Sequence, residues 1–139
     1  MTVKVYDKIP HEAKKIREDV FVKEQGFKAE FDGIDDFAVH FVMFDDDKNA
    51  VAVCRAFTEE NPKEYHLGRL AVRKEYRGQH LGEEILKEAE MHIKSLGGKA
   101  VLLSAQVRVS DFYAKQGYEK FGDIYYDEFC PHIMMKKEL

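Results

Sequence analysis

The chemistry-bearing stretch of this chain is Arg77-Gly78-Gln79-His80-Leu81-Gly82, approached by the apolar run Leu70-Ala71-Val72. A strand that feeds a basic, glycine-marked turn at the start of a helix is a site for an anion. The first helical turn leaves its N–H groups unpaired, and the helix dipole favours negative charge there. The residues alone therefore point to a phosphate-bearing ligand at about 73–82. A Walker loop is excluded, because Gly-x-x-x-x-Gly-Lys-Ser/Thr is missing. So is a dinucleotide fingerprint, because Gly78 to Gly82 does not supply Gly-x-Gly-x-x-Gly.

A second charged feature is the connector from Glu24 to Asp36. Glu24, Glu30, Asp32, Asp35 and Asp36 meet only Lys28 as a cation. It reads as a solvated loop with Asp32-Gly33 as a turn. The Asp-x-Asp-x-Asp-Gly spacing of a calcium loop is absent, and no metal is expected. Cys54 and Cys130 have no metal-ligand spacing. They fit reduced thiols in a cytoplasmic protein.

The elements that must position these residues follow from periodicity. Val3 and Val5 alternate with polar residues as a first strand. Ala13, Ile16 and Val20 recur at helical spacing, predicting a helix over about 10–24. Phe37 to Phe44 alternates as a strand, with Phe37, Val39, Phe41 and Met43 on one face. Ala50–Phe57 and Tyr65–Val72 follow through short polar loops, making an antiparallel meander. Leu81, Ile85, Leu86, Ala89, Ile93 and Leu96 form the apolar stripe of a helix over 80–96, which Gly97-Gly98 ends. Strand 65–72, this helix and the apolar strand 99–105 make a βαβ unit with parallel strands. A short helix at 111–115 and strands at 118–121 and 133–137 close the chain.

The 139 residues, 45% hydrophobic, suit one domain over 1–139 with a single substantial core. A net charge of −4 argues against a nucleic-acid partner. No signal peptide is visible, and no apolar run is long enough for a membrane span.

The turn resembles the acyl-CoA loop of the GNAT superfamily of N-acetyltransferases, Gln/Arg-x-x-Gly-x-Gly/Ala. Arg77 to Gly82 fills it, with His80 in place of the first glycine of the pair. Gln106-Val-Arg-Val-Ser-Asp-Phe112-Tyr113-Ala-Lys-Gln-Gly117-Tyr118 resembles the Asn-x-x-Ala-x-x-Phe/Leu-Tyr-x-x-x-Gly-Phe block of that superfamily, with Gln106 at the Asn place. Arg17, Val20-Phe21-Val22, Glu24-Gln25, Asp32-Gly33-x-Asp35, His40, Gly68-Arg69 and Cys130-Pro131-His132-Ile133-x-Met135 are similar to the ElaA-like branch.

This resemblance implies an α/β acyl-CoA N-acyltransferase (GNAT) fold: a mixed, mostly antiparallel sheet flanked by helices, with a central βαβ unit and a V-shaped parting between strands 65–72 and 99–105. It implies acetyl-CoA as co-substrate and acetyl transfer to a primary amine of a small molecule, directly in a ternary complex rather than through an acyl-cysteine. The pyrophosphate would sit on the backbone N–H groups from Arg77 through Gly78, Gln79, His80 and Leu81 to Gly82. Leu70, Ala71 and Val72 would pair with the pantetheine arm, and a backbone N–H there would hold the thioester oxygen. Ser104 and Ala105 would line the opposite side, Gln106 would hydrogen-bond the arm, and Phe112 would border it. Tyr113 would be the general acid that protonates the leaving thiolate.

Leu67, Gly68 and Arg69 offer no carboxylate to serve as base. Glu24, Glu30, Asp32, His40 and His132 are the candidates for that role, and Asp32, Asp35 and His132 also stand toward the acceptor. The acidic connector then takes a second meaning, as a wall that attracts a cationic amine. The alternative function is a non-catalytic acyl-CoA-binding sensor or interaction module. Whether the chain works alone or as a homodimer stays open.

Overall fold

The computed structural model describes residues 1–139. Seven strands form one sheet: β1 (Thr2–Tyr6), β2 (Val39–Phe44), β3 (Ala50–Thr58), β4 (Glu64–Val72), β5 (Ala100–Gln106), β6 (Glu119–Asp127) and β7 (Cys130–Glu138). Their spatial order is β1-β2-β3-β4-β5-β7-β6. Only β4 and β5 are parallel, as the crossover through helix α2 (Leu81–Ser95) requires. All other neighbours run antiparallel.

Each face of the sheet is covered. Leu81, Ile85, Leu86, Ala89 and Ile93 of α2 bury their stripe with Phe41, Leu67, Leu103 and Met135. Ala13, Ile16, Val20 and Phe21 pack with Phe27, Val42, Val53 and Ala71 on the other side. The first helix, however, is not α-helical to its end. Helix α1 spans His11–Arg17, and Glu18–Glu24 continues as a π-helix. The π turn takes a smaller angular step per residue than the α turn. Arg17, Val20 and Phe21 are all buried along this stretch.

Two strand boundaries also differ from the periodicity. Phe37 ends a 3₁₀ turn over Gly33–Asp36 and is exposed, so β2 begins at Val39. The closing hairpin is longer than 118–121 and 133–137. β6 is exposed along its whole length and lacks a sustained apolar alternation, so its pairing with β7 reveals its full extent.

The parting of the sheet has a local cause. β4 and β5 are in register only from Glu64–Ala100 to Leu67–Leu103. Immediately beyond, Val53 pairs Ala71 while Arg55 pairs Gly68, so Arg69 and Leu70 face one residue of β3. Arg69 takes the left-handed conformation, φ 52°. Such a bulge bends and twists a strand. β4 therefore leaves β5 at Gly68, and the inner edge of 68–72 has no strand partner on that side.

Candidate functional site

A cavity of about 760 Å³ opens where β4 and β5 part. Leu70, Ala71 and Val72 line one wall, Ser104 and Gln106 the other. The turn Arg77, Gly78, His80, Leu81 and Gly82 closes one end, with Phe112 and Tyr113 of α3 (Ser110–Lys115) beside it. The fold thus gathers nearly all of the residues assigned to cofactor binding. Gln79 is the exception, for it does not line the cavity.

The turn is built to present donors. Gly78 (φ 82°) and His80 (φ 62°) are both left-handed. His80 therefore occupies a glycine conformation, with the cost that a Cβ brings there. The backbone N–H groups of residues 78–83 donate to no group of the chain; the helical bonds begin with Glu84 N–H to the His80 carbonyl at 3.1 Å. Six consecutive unengaged donors at a helix start form an anion cradle.

Arg77 is tied down rather than free. Its Nε donates to the Val72 carbonyl at 3.0 Å, and its two terminal nitrogens donate to Glu24 at 2.6 and 3.0 Å. Those hydrogen bonds hold the Glu24 carboxyl below its ordinary value. Glu24 is therefore a poor base and acts as a brace between the π-helix and the turn.

Tyr113 is half-buried and borders the cavity. Its hydroxyl has no hydrogen-bond partner in the chain. The only fully buried side-chain nitrogen or oxygen left unpartnered is Arg55 Nε, so the phenol reaches the cavity space. Burial pushes its ionisation above the ordinary value, which keeps the phenol protonated at neutral pH. Gln106 donates to Gln25 Oε1 at 2.9 Å and accepts from Arg108 Nε at 3.0 Å, linking β5 to the end of the π-helix. The Ser104 hydroxyl hydrogen-bonds the Tyr125 hydroxyl. Its neighbour Ala105 turns into the core.

The acidic connector is exposed along much of its length, but Glu30 and Asp35 are buried. Arg17 Nε meets Glu30 at 2.9 Å, and its terminal nitrogens meet Asp35 at 2.8 and 3.1 Å. Arg55 Nη1 reaches Asp32 at 2.7 Å and Asp35 at 2.8 Å, and Arg69 Nε reaches Glu30 at 3.0 Å. Arg17, Arg55, Glu30 and Asp35 are all at most 5% exposed. Three arginines thus neutralise three acids. Asp32 and Asp35 do not line the cavity, and the reading of them as acceptor-side charges gives way to a structural one. Glu30 does border the cavity, but it is held by Arg17 and Arg69, and burial raises its carboxyl.

His40 is also removed from the site. It is buried, outside the cavity lining, and its Nε2 lies 3.0 Å from the Asp35 carbonyl. Burial lowers its protonation below the ordinary imidazole value. Cys54 and Cys130 are both buried and outside the lining, with burial raising both thiols. His132 is the histidine that lines the cavity on the β7 side, where Nδ1 lies 3.0 Å from the Cys130 carbonyl.

Several site residues carry no local signature. Glu128, at the tip of the β6–β7 hairpin, accepts the N–H groups of Lys28 and Ala29 at 3.0 Å each, and Phe27 packs on Phe129. The hairpin thereby fixes the 25–30 segment over the cavity. The arginine network did leave a trace in the sequence. Arg17 sits one turn from Ala13 and Val20, and Arg55 sits inside an apolar strand. A cation at a core position must be paired.

Comparison with known proteins agrees with this geometry. The sequence pattern described as "Acetyltransferase (GNAT) domain" matches residues 7–139. The uncharacterized N-acetyltransferase YjcF of Bacillus subtilis is 32% identical over 126 residues, covering 88% of each chain. Escherichia coli ElaA superposes with a TM-score of 0.84 at 23% identity, over 99% of this chain and 100% of ElaA. An aminoglycoside 6'-N-acetyltransferase solved with coenzyme A gives a TM-score of 0.76 at 16% identity, over 99% and 97%. With a parted mixed sheet, a cradle of free N–H groups at the parting and this match along nearly the whole sequence, the chain belongs to the acetyltransferase (GNAT) family.

Proposed function

We propose that the protein transfers the acetyl group of acetyl-CoA directly to the primary amine of a small molecule. The observation that carries this reading is the convergence, in one cavity, of an anion cradle at 78–83, an unpaired strand edge at 68–72 and the free Tyr113 hydroxyl. An anion cradle, an unpaired strand edge and a proton donor are the groups that a cofactor with a pyrophosphate, an amide-bearing arm and a thioester would need. The cradle would hold the pyrophosphate, with Arg77 adding a charge-assisted contact. The edge of Leu70–Val72 would pair with the arm and offer a backbone donor to the thioester oxygen as charge grows there. Tyr113, protonated at neutral pH, would give its proton to the departing thiolate. The coenzyme A of the aminoglycoside N-acetyltransferase neighbour supports the choice of cofactor.

The acceptor would enter from the side walled by Phe27, Ala29, Glu30 and the β6–β7 hairpin. With Asp32 and Asp35 spent on arginines, a cationic acceptor would meet Asp127. This is the one carboxylate of the cavity lining without an ion pair or hydrogen bond in the chain.

The test is release of free thiol from acetyl-CoA across a panel of primary amines, with acetylated product identified by mass. Turnover of at least one amine supports the reading. Measurable affinity for acetyl-CoA with no turnover on any amine would replace it with an acyl-CoA-binding module.

A further inference from the structure

We propose that His132 is the general base of this reaction, taking the proton of the acceptor amine on Nε2. The inference rests on the acetyl-transfer reading above and names the group which that reading lacks.

The ring is placed and oriented for the task. His132 lies on β7 opposite Gln106, two residues past Ser104 on the β5 wall of the parting. Its Nδ1 sits 3.0 Å from the Cys130 carbonyl oxygen. A carbonyl only accepts, so Nδ1 carries the hydrogen and, in the neutral ring, Nε2 carries the lone pair. That Nε2 has no partner in the chain. Since Arg55 Nε is the only fully buried unpartnered atom of its kind, Nε2 meets solvent, and the ring borders the cavity. Tyr125 stacks on the imidazole at 6.0 Å and 26°, and Phe27 approaches it at 6.4 Å and 66°. Both hold the ring in place.

The faces of the sheet separate the two proton-transfer groups. Tyr113 packs against the core beneath α2, whereas Phe27, which contacts His132, belongs to the core beneath α1. Acid and base thus approach the parting from opposite sides, as a thiol and an amine in one ternary complex must.

The other candidates are engaged elsewhere. Glu24 is held by Arg77, and Glu30 by Arg17 and Arg69. His40 lies outside the cavity. Asp127 is an exposed carboxylate, and a carboxylate is a far weaker base than an imidazole.

The step balances as follows. The bound ammonium gives one proton to Nε2. The freed amine forms the N–C bond to the thioester carbonyl carbon, and collapse of the tetrahedral intermediate breaks C–S. The thiolate takes the Tyr113 proton, the new amide nitrogen loses its surplus proton and so restores the phenol, and His132 releases its proton to solvent.

The experiment measures thiol release by wild type, His132→Asn and His132→Ala on amines of graded basicity, including a hydrazide whose nitrogen is already uncharged at the assay pH. His132→Asn keeps an N–H donor for the Cys130 carbonyl but has no base. We expect its kcat on charged amines to fall about 100-fold or more, with an unchanged KM for acetyl-CoA. We also expect a much smaller defect on the hydrazide, and partial recovery of His132→Ala with free imidazole. Near-wild-type activity of His132→Asn, or an equal loss on charged and uncharged acceptors without imidazole recovery, overturns the assignment while leaving acetyl transfer intact. Absence of wild-type turnover on every acceptor overturns both.

Discussion

Glu24 and Arg77, 53 residues apart in sequence, form a two-pronged ion pair at 2.6 and 3.0 Å that ties the end of the π-helix to the cofactor turn. The third contact of the guanidinium, to the Val72 carbonyl, aligns it with the end of β4. Arg77 is therefore pre-oriented at the cradle, and Glu24 is its holder. Glu24→Gln is expected to change kcat by less than about threefold, because the carboxylate takes no proton in the reaction. Arg77→Ala is expected to weaken acetyl-CoA binding about tenfold, roughly 1.4 kcal/mol, as read by titration calorimetry.

Tyr113→Phe separates chemistry from folding. The hydroxyl has no hydrogen-bond partner in the chain, so its removal leaves the fold unaltered. The melting temperature should stay within about 1–2 °C of wild type, as expected when a change costs no more than a few tenths of a kcal/mol. The kcat for amine acetylation should fall about 100-fold, the scale of a positioned proton donor. Parallel calorimetry and steady-state kinetics would check both halves.

The arginine network is a stability element. Arg17→Met leaves Glu30 and Asp35 short of their main partner while both stay buried. Breaking a buried pair from one side costs about 3–5 kcal/mol. Urea denaturation should show that loss, and Arg55→Met should show a smaller one, since Asp32 is exposed and keeps water. Double substitution should be less than additive, because both arginines share Asp35.

Acid should weaken the fold through the same cluster. Burial would raise the Asp35 carboxyl, but hydrogen bonds from Arg17 and Arg55 outweigh it and bring it down from 3.8 to about 2. A depressed folded value stabilises above the unfolded value and loses that contribution as pH falls through the folded one. Asp35 thus supplies on the order of 2 kcal/mol that disappears between about pH 4 and pH 2. Glu30, raised by burial, has the opposite sign and offsets part of the slope. Urea midpoints measured from pH 5 to pH 2 should fall, and Asp35→Asn should flatten that fall.

Local pattern was enough for the βαβ unit and for the glycine-marked turn that opens α2. The stripe from Leu81 to Ile93, the apolar strand at 100–106 and the glycine-marked approach are all short-range consequences of side-chain periodicity and backbone freedom. His80 was visible as a residue in a glycine place, and the structure gives it the left-handed conformation.

What only the tertiary structure decided lies where distant segments meet. Composition presented Glu30, Asp32 and Asp35 as solvated acids. The fold brings Arg17, Arg55 and Arg69 to them, because burying Arg17 and Arg55 inside the packed elements required counter-charges. The sequence announced the β6–β7 hairpin only as short strands at 118–121 and 133–137, yet its tip latches the 25–30 segment and the start of β7 brings His132 to the cavity. The cavity wall and turn from Leu70 to Gly82 are built from one continuous stretch, so sequence order carries them. The opposite side of the cavity is assembled from residues within 20–30 together with Asp127 and His132, a juxtaposition set by the sheet order β4-β5-β7-β6 rather than by any local pattern.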